Sequence, residues 1–140
     1  MTESHPTTGG TPAPQVWPTL QARDALALID FYVETFGFRR TAVYADGATV
    51  AHAQLDWPEG GGIMLGSHKP EGEWSTQPGT LAAYAVTEHI EELWQRVRDA
   101  PGVTVIRPLA GTDYGSQEFA VRDPEGNAWS FGTYRPVIGA

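Results

Sequence analysis

The chain has no cysteine in its 140 residues, which excludes disulfides, thiolate nucleophiles, iron–sulfur clusters and Cys-ligated zinc. Histidine is scarce as well. With four copies, any metal would depend on those imidazoles and on carboxylates. Basic residues are few, nine Lys and Arg against 17 Asp and Glu, so the formal charge is −8 and the pI near 4.8. Such a surface repels phosphate backbones, which argues against nucleic acid as a partner, and it concentrates cations. No apolar run reaches the roughly 18 residues of a membrane-spanning helix, so no membrane partner is expected. Residues 1–15 are polar and rich in Thr, Gly and Pro, without the basic start and apolar stretch of a signal peptide. They are expected to form a flexible tail on a cytoplasmic protein. What remains is 41% apolar and 19% charged overall, the balance of one globular domain.

After the tail, residues 16–22 read as a strand, with Pro18 marking an edge or a strand start. Asp24 is a candidate N-cap for a helix to Phe36, in which Leu26, Ile29, Val33 and Phe36 recur at helical spacing and Gly37 supplies the stop. Residues 39–45 and 48–55 are strands joined by Asp46-Gly47, a hairpin signal. A turn, Asp56-Trp57-Pro58-Glu59-Gly60, leads to a strand over 62–66. Residues 67–79 form a polar connector. The order then restarts with a strand over 80–86, a helix capped by Thr87 and running to Asp99, and strands over 103–108, 117–122 and 128–134.

The repetition extends to residues. Leu55-Asp56-Trp57-Pro58-Glu59-Gly60 matches Val121-Arg122-Asp123-Pro124-Glu125-Gly126. Pro fixes φ in such a turn and Gly takes the strained position. Found twice, at matching places in two β-α-β-β-β runs, the turn points to duplication. The segment from Asp24 through Phe31-Tyr32 to Phe38 resembles the first helix of the vicinal oxygen chelate superfamily. The segment from Tyr114 through Asp123-Pro124-Glu125-Gly126-Asn127 to Tyr134 resembles its closing strands. That superfamily includes glyoxalase I, bleomycin-resistance proteins and ring-cleaving dioxygenases.

The resemblance implies an α+β fold: two βαβββ modules whose curved mixed sheets enclose a cleft. The domain would span 16–136, with module 1 at about 16–66, a linker at 67–79 and module 2 at about 80–136. It also implies a homodimer. In the metalloenzymes of the superfamily each module supplies two ligands, from its first and last strands, typically His, Glu or Gln. Carried over one at a time, those positions fall here on Trp17, Met64, Leu81 and Ser130. None is a normal ligand for a divalent cation, so no metal and no other cofactor is expected. One reading makes these four residues core filling. The other makes them the wall of an apolar, metal-free pocket with Ser130 as its polar point and Gln21 nearby.

His52 lies mid-strand and shares a face with Gln54. If that face lines the cleft, His52 is a candidate ligand contact or general base; otherwise a neighbour holds it or solvent surrounds it. Tyr114 and Trp74 sit in loops able to fold over the cleft, and Glu118 and Arg122 give their strand one polar face. The leading reading is a metal-independent small-molecule-binding protein, similar to the bleomycin-resistance branch, that sequesters a cationic aromatic drug-like ligand. Its candidate contacts are Trp17, Gln21, His52, Gln54, Met64, Leu81, Tyr114 and Ser130. The rivals are a lyase, isomerase or metal-dependent glyoxalase or dioxygenase with His52 in the site, and a non-catalytic partner-binding scaffold.

Overall fold

Burial organises the strands: Val50, Ala53 and Leu55 of one turn inward between exposed or half-buried neighbours, and Phe119 and Val121 of another are fully buried. The computed structural model describes residues 13–137 and 139. The first sheet holds β1 (Thr19–Ala22), β2 (Arg39–Asp46), β3 (Thr49–Asp56) and β4 (Gly62–Ser67) in the order β1-β4-β3-β2. The second holds β5 (Ala82–Val86), β6 (Thr104–Gly111), β7 (Gln117–Arg122) and β8 (Ala128–Gly132) in the order β5-β8-β7-β6. The two orders are the same, strand for strand. In each sheet the first and last strands pair parallel and the rest antiparallel. The chain must therefore cross each sheet from one edge to the other, and α1 (Ala25–Phe31) and α2 (Ile90–Val97) make those crossings. This is the α+β fold of two βαβββ modules that the resemblance implies. Most of the tail, residues 1–12, lies outside the described residues.

Several element ends differ from the sequence reading, each for a backbone reason. The first strand begins at Thr19 rather than Val16. Pro18 has no N–H to give a ladder, although its carbonyl accepts from Met64 N–H at 3.0 Å. The helix over 24–36 is in two parts: α1 ends at Phe31 and a π-helical turn, Tyr32–Phe36, follows. Asp24 caps it, its Oδ1 accepting from Ala27 N–H at 3.2 Å, and Gly37 closes it at φ 94° with its N–H bonded back to Tyr32 O at 3.0 Å. The second helix starts at Ile90 and ends at Val97, not Asp99. Thr87 acts one turn early, its Oγ1 accepting from His89 N–H at 3.0 Å. The strand β6 continues through Pro108 to Gly111, which an edge strand with a register shift tolerates.

One apolar core serves both modules. Tyr32, Phe36 and Phe38 from module 1 interleave with Trp129 and Phe131 from module 2, with ring centroids 4.9 Å apart for Phe36–Phe131 and 5.3 Å for Tyr32–Trp129. The modules also complete each other's helices. Glu125, in the turn of module 2, accepts from the N–H groups of Arg23 and Asp24 at 2.7 and 2.8 Å, where α1 begins. Its counterpart Glu59, in the turn of module 1, accepts from Glu88 N–H at 2.9 Å, just ahead of α2. At the other end, Arg96 of α2 donates to the carbonyls of Thr35 and Phe36 at 2.9 and 3.2 Å. Backbone groups that no helix can satisfy internally are thus satisfied across the seam.

Candidate functional site

The sequence-predicted residues are spread over both sheets and do not gather at one site. Met64 and Gln54 are cross-strand partners on the outward face of the first sheet, both half-buried, with Gln54 Nε2 donating to Asp56 Oδ1 at 2.9 Å. Trp17 precedes β1 and packs on Gly62, where a Cβ would stand 2.5 Å from its ring. Ser130 lies between Tyr84 and Ala120 on the outward face of the second sheet, and Tyr114 donates from its hydroxyl to Glu118 Oε2 at 2.8 Å. Leu81 is half-buried against the core; its N–H donates to Asn127 Oδ1 at 2.9 Å.

Gln21 and His52 stand apart. Gln21 Oε1 is bonded to His68 Nδ1 at 3.0 Å and accepts from the N–H groups of Lys69 and Thr76 at 3.2 and 3.4 Å, which fastens the connector to β1. The His52 ring is exposed and stacks on Tyr44, with centroids 6.2 Å apart. A general base needs an orienting partner, and among the described residues no carboxylate orients His52. Nor do three His, Asp or Glu side chains converge anywhere among them. The four carried-over positions, holding Trp17, Met64, Leu81 and Ser130, do not fit a divalent metal.

A cavity of about 880 Å³ runs along the seam between the modules. Phe38, Trp57 and Trp129 form its aromatic side, the backbone of Ala83–Val86 on the free edge of β5 another, and Glu59 and Arg135 bring charge to it. None of the eight predicted contacts lines it. Trp57 spans the seam itself, its indole Nε1 donating to Val86 O at 2.9 Å. The sequence did carry one signal for this residue: in the repeated turn, Trp57 stands where the second copy has Asp123.

Three tyrosines bear the marks of nearby carboxylates. Burial, with Asp123 at 2.6 Å from its hydroxyl, pushes Tyr32 well above the usual phenol range. Tyr84 is pushed up by burial and then by the Glu118 charge. Tyr114 is pushed up chiefly by its hydrogen bond to Glu118.

Two βαβββ units joined over a shared core, with a cavity at the join, define a fold class. The sequence model of the Glyoxalase/Bleomycin resistance protein/Dioxygenase superfamily matches residues 15–131, and the chain belongs to that superfamily. It is 32% identical over 127 residues to an uncharacterized protein of Mycobacterium bovis, covering 85% of this chain and 82% of that one. An uncharacterized protein of Mycobacterium tuberculosis is also 32% identical, over 85% of this chain and 74% of its own length. Among solved structures it is similar to TioX from Micromonospora sp. ML1, with a TM-score of 0.70 and 25% identity, covering 86% of this chain and all (100%) of that one. A superfamily member from Sphaerobacter thermophilus, at 22% identity and a TM-score of 0.60 over 85% of this chain and 97% of its own, shares the fold.

Proposed function

We propose that this protein is a metal-independent small-molecule-binding member of the superfamily, in the manner of its bleomycin-resistance branch, and that it sequesters a cationic, aromatic, drug-like ligand as a homodimer. The observation that carries the reading is the seam cavity. Its volume lies within the roughly 300–1,000 Å³ of small-molecule sites, and Tyr84, 38% exposed, offers a ring for stacking while Phe38, Trp57 and Trp129 back the cavity with apolar surface. The −8 charge favours cations among the ligands that reach it. The dimer is supported by Tyr44 on the first sheet and by Val105 and Ile106 on the edge strand β6, exposed apolar residues that a second copy would cover.

A thermal-shift panel of cationic, neutral aromatic and glutathione-like compounds tests the reading, together with elemental analysis after dialysis. Aromatic cations are expected to raise the midpoint, since a ligand at 100 times its Kd stabilises by about 2.7 kcal/mol. Stoichiometric zinc, nickel, iron or manganese surviving dialysis would overturn the metal-independent part. A flat panel together with tight binding to a protein partner would overturn the small-molecule part.

A further inference from the structure

We infer that the outward face of the second sheet carries a seat for an organic ammonium group, built on the Glu118 carboxylate and ringed by Tyr84, Tyr114 and Tyr134. The inference rests on the small-molecule reading above and names the chemistry of the ligand's charged end. Glu118 lies on β7, opposite Gly132 of β8 and Ala110 of β6, and it is only 8% exposed. A carboxylate buried that far is costly without a compensating charge or a full set of donors. Tyr114 supplies one donor, to Oε2. Among the described residues no other hydrogen bond reaches the carboxylate and no cation pairs with it.

The surroundings are built around that carboxylate. A Cβ on Gly132 would stand 2.6 Å from Glu118 Cγ and 2.6 Å from the Tyr84 hydroxyl, so the bare glycine lets both side chains meet above it. The Tyr84 hydroxyl donates to Tyr134 O at 2.6 Å, and the Tyr114 and Tyr134 rings meet edge to face at 5.8 Å. Bonds thus fix these rings, yet Tyr84, Tyr114 and Tyr134 remain 38%, 59% and 49% exposed. Core packing does not account for exposed aromatics grouped on a buried acid.

The chemistry selects the ligand class. The Tyr84 and Tyr114 hydroxyls are engaged with protein acceptors, which leaves π faces rather than hydrogen-bond donors for a ligand. A π face beside a carboxylate attracts organic cations. A hard metal ion requires six or more oxygens, and one carboxylate falls far short. The positive charge of Arg107 on β6, of the ligand's own sign, also acts on the Tyr114 phenol. Tyr84 belongs to the seam cavity as well, so seat and cavity are contiguous and suit an apolar body with a cationic end.

The test is calorimetric titration of the full chain with benzyltrimethylammonium, and with choline against its uncharged carbon isostere. Benzyltrimethylammonium is expected to bind, with choline about tenfold or more tighter than its isostere. Glu118→Gln, which preserves shape and the acceptor for Tyr114, is expected to lose about tenfold or more at a thermal midpoint no lower than that of wild type, and Arg107→Ala to bind more tightly. Binding that survives Glu118→Gln unchanged would overturn the seat and leave the small-molecule reading standing. So would a wild-type chain that binds neutral aromatics and ignores both ammonium probes. A chain that binds none of these compounds overturns both.

Discussion

Glu125→Ala probes the reciprocal capping of the modules, and the structure sets its size. The change strips Arg23 N–H and Asp24 N–H of acceptors at 2.7 and 2.8 Å and removes the partner of the Arg23 guanidinium at 3.7 Å. A hydrogen bond to a charged group contributes about 1.5–3 kcal/mol when nothing replaces it. Arg23 and Asp24 are exposed, so water recovers part of both, and the ion pair adds at most about 1 kcal/mol. The expected loss is about 2–3 kcal/mol. Glu59→Ala removes one such bond, to Glu88 N–H at 2.9 Å, and should cost about 1 kcal/mol, as a lost helix cap does. Urea unfolding followed by tryptophan fluorescence measures both variants, with Glu125→Gln expected in between. If Glu59→Ala costs as much as Glu125→Ala, or if Glu125→Ala lies within about 0.5 kcal/mol of wild type, the seam is not held this way.

Tyr32→Phe removes the hydroxyl that donates to Asp123 at 2.6 Å and should cost about 1–3 kcal/mol in the same assay; a neutral result would mean that the bonds from Asn127 and Trp129 suffice for Asp123 Oδ2. Tyr32, Tyr84 and Tyr114 all ionise above the ordinary value of 10.0 in the folded chain. The folded state therefore holds more protons than the unfolded one above about pH 10, so stability is intact below that pH and falls as the pH rises through the folded values. Ultraviolet titration of wild type against Tyr32→Phe checks the direction, and tyrosinate appearing with no loss of stability contradicts it. Gly62→Ala would drive a methyl into the Leu55 carbonyl and the Trp17 ring and should destabilise by about 1–3 kcal/mol, whereas Gly72→Ala, whose nearest neighbour is at 3.4 Å, should be near neutral by thermal melt.

Local chemistry written in the sequence survived folding. Asp24 and Gly37 bound the first helix as their residue types dictate, and the repeated Pro-Glu-Gly turn marked a duplication that the matching strand orders display. What the sequence could not carry was the seam. Ala83, Ala85 and Val86 enter the cavity on the edge strand β5, and such small apolar side chains advertise nothing. Alternation placed His52 on a plausible face, and Gln21 entered as a neighbour of Trp17. The fate of Gln21 was decided by His68, Lys69 and Thr76, nearly fifty residues away, and that of His52 by a hairpin partner, Tyr44. Glu118 was legible as one half of a polar strand face; its burial was not, because that depends on Gly132 and on tyrosines from three other segments.

The two copies of the turn differ at their first residue, Trp57 against Asp123, and that difference shapes the cavity side of the seam. Both turns keep the same backbone bonds: Trp57 N–H to Gly61 O at 2.8 Å and Gly60 N–H to Trp57 O at 2.9 Å, against Asp123 N–H to Asn127 O and Gly126 N–H to Asp123 O, each at 3.0 Å. Because the backbone alone maintains the turn, the side chain at its first position is free to differ. Asp123 turns inward, accepts from the N–H groups of Glu125 and Asn127, and takes the Tyr32 hydroxyl, so its half of the seam is filled by a satisfied polar network. Trp57 has no acceptor to offer. Its indole instead reaches across to Val86 O and stands as a wall, with Trp129 and Phe38, around open volume. A duplicated scaffold offers two equivalent joins: Asp123 with Asn127 fills one with a polar network, and Trp57, with Gly61 where the other copy has Asn127, walls a cavity at the other.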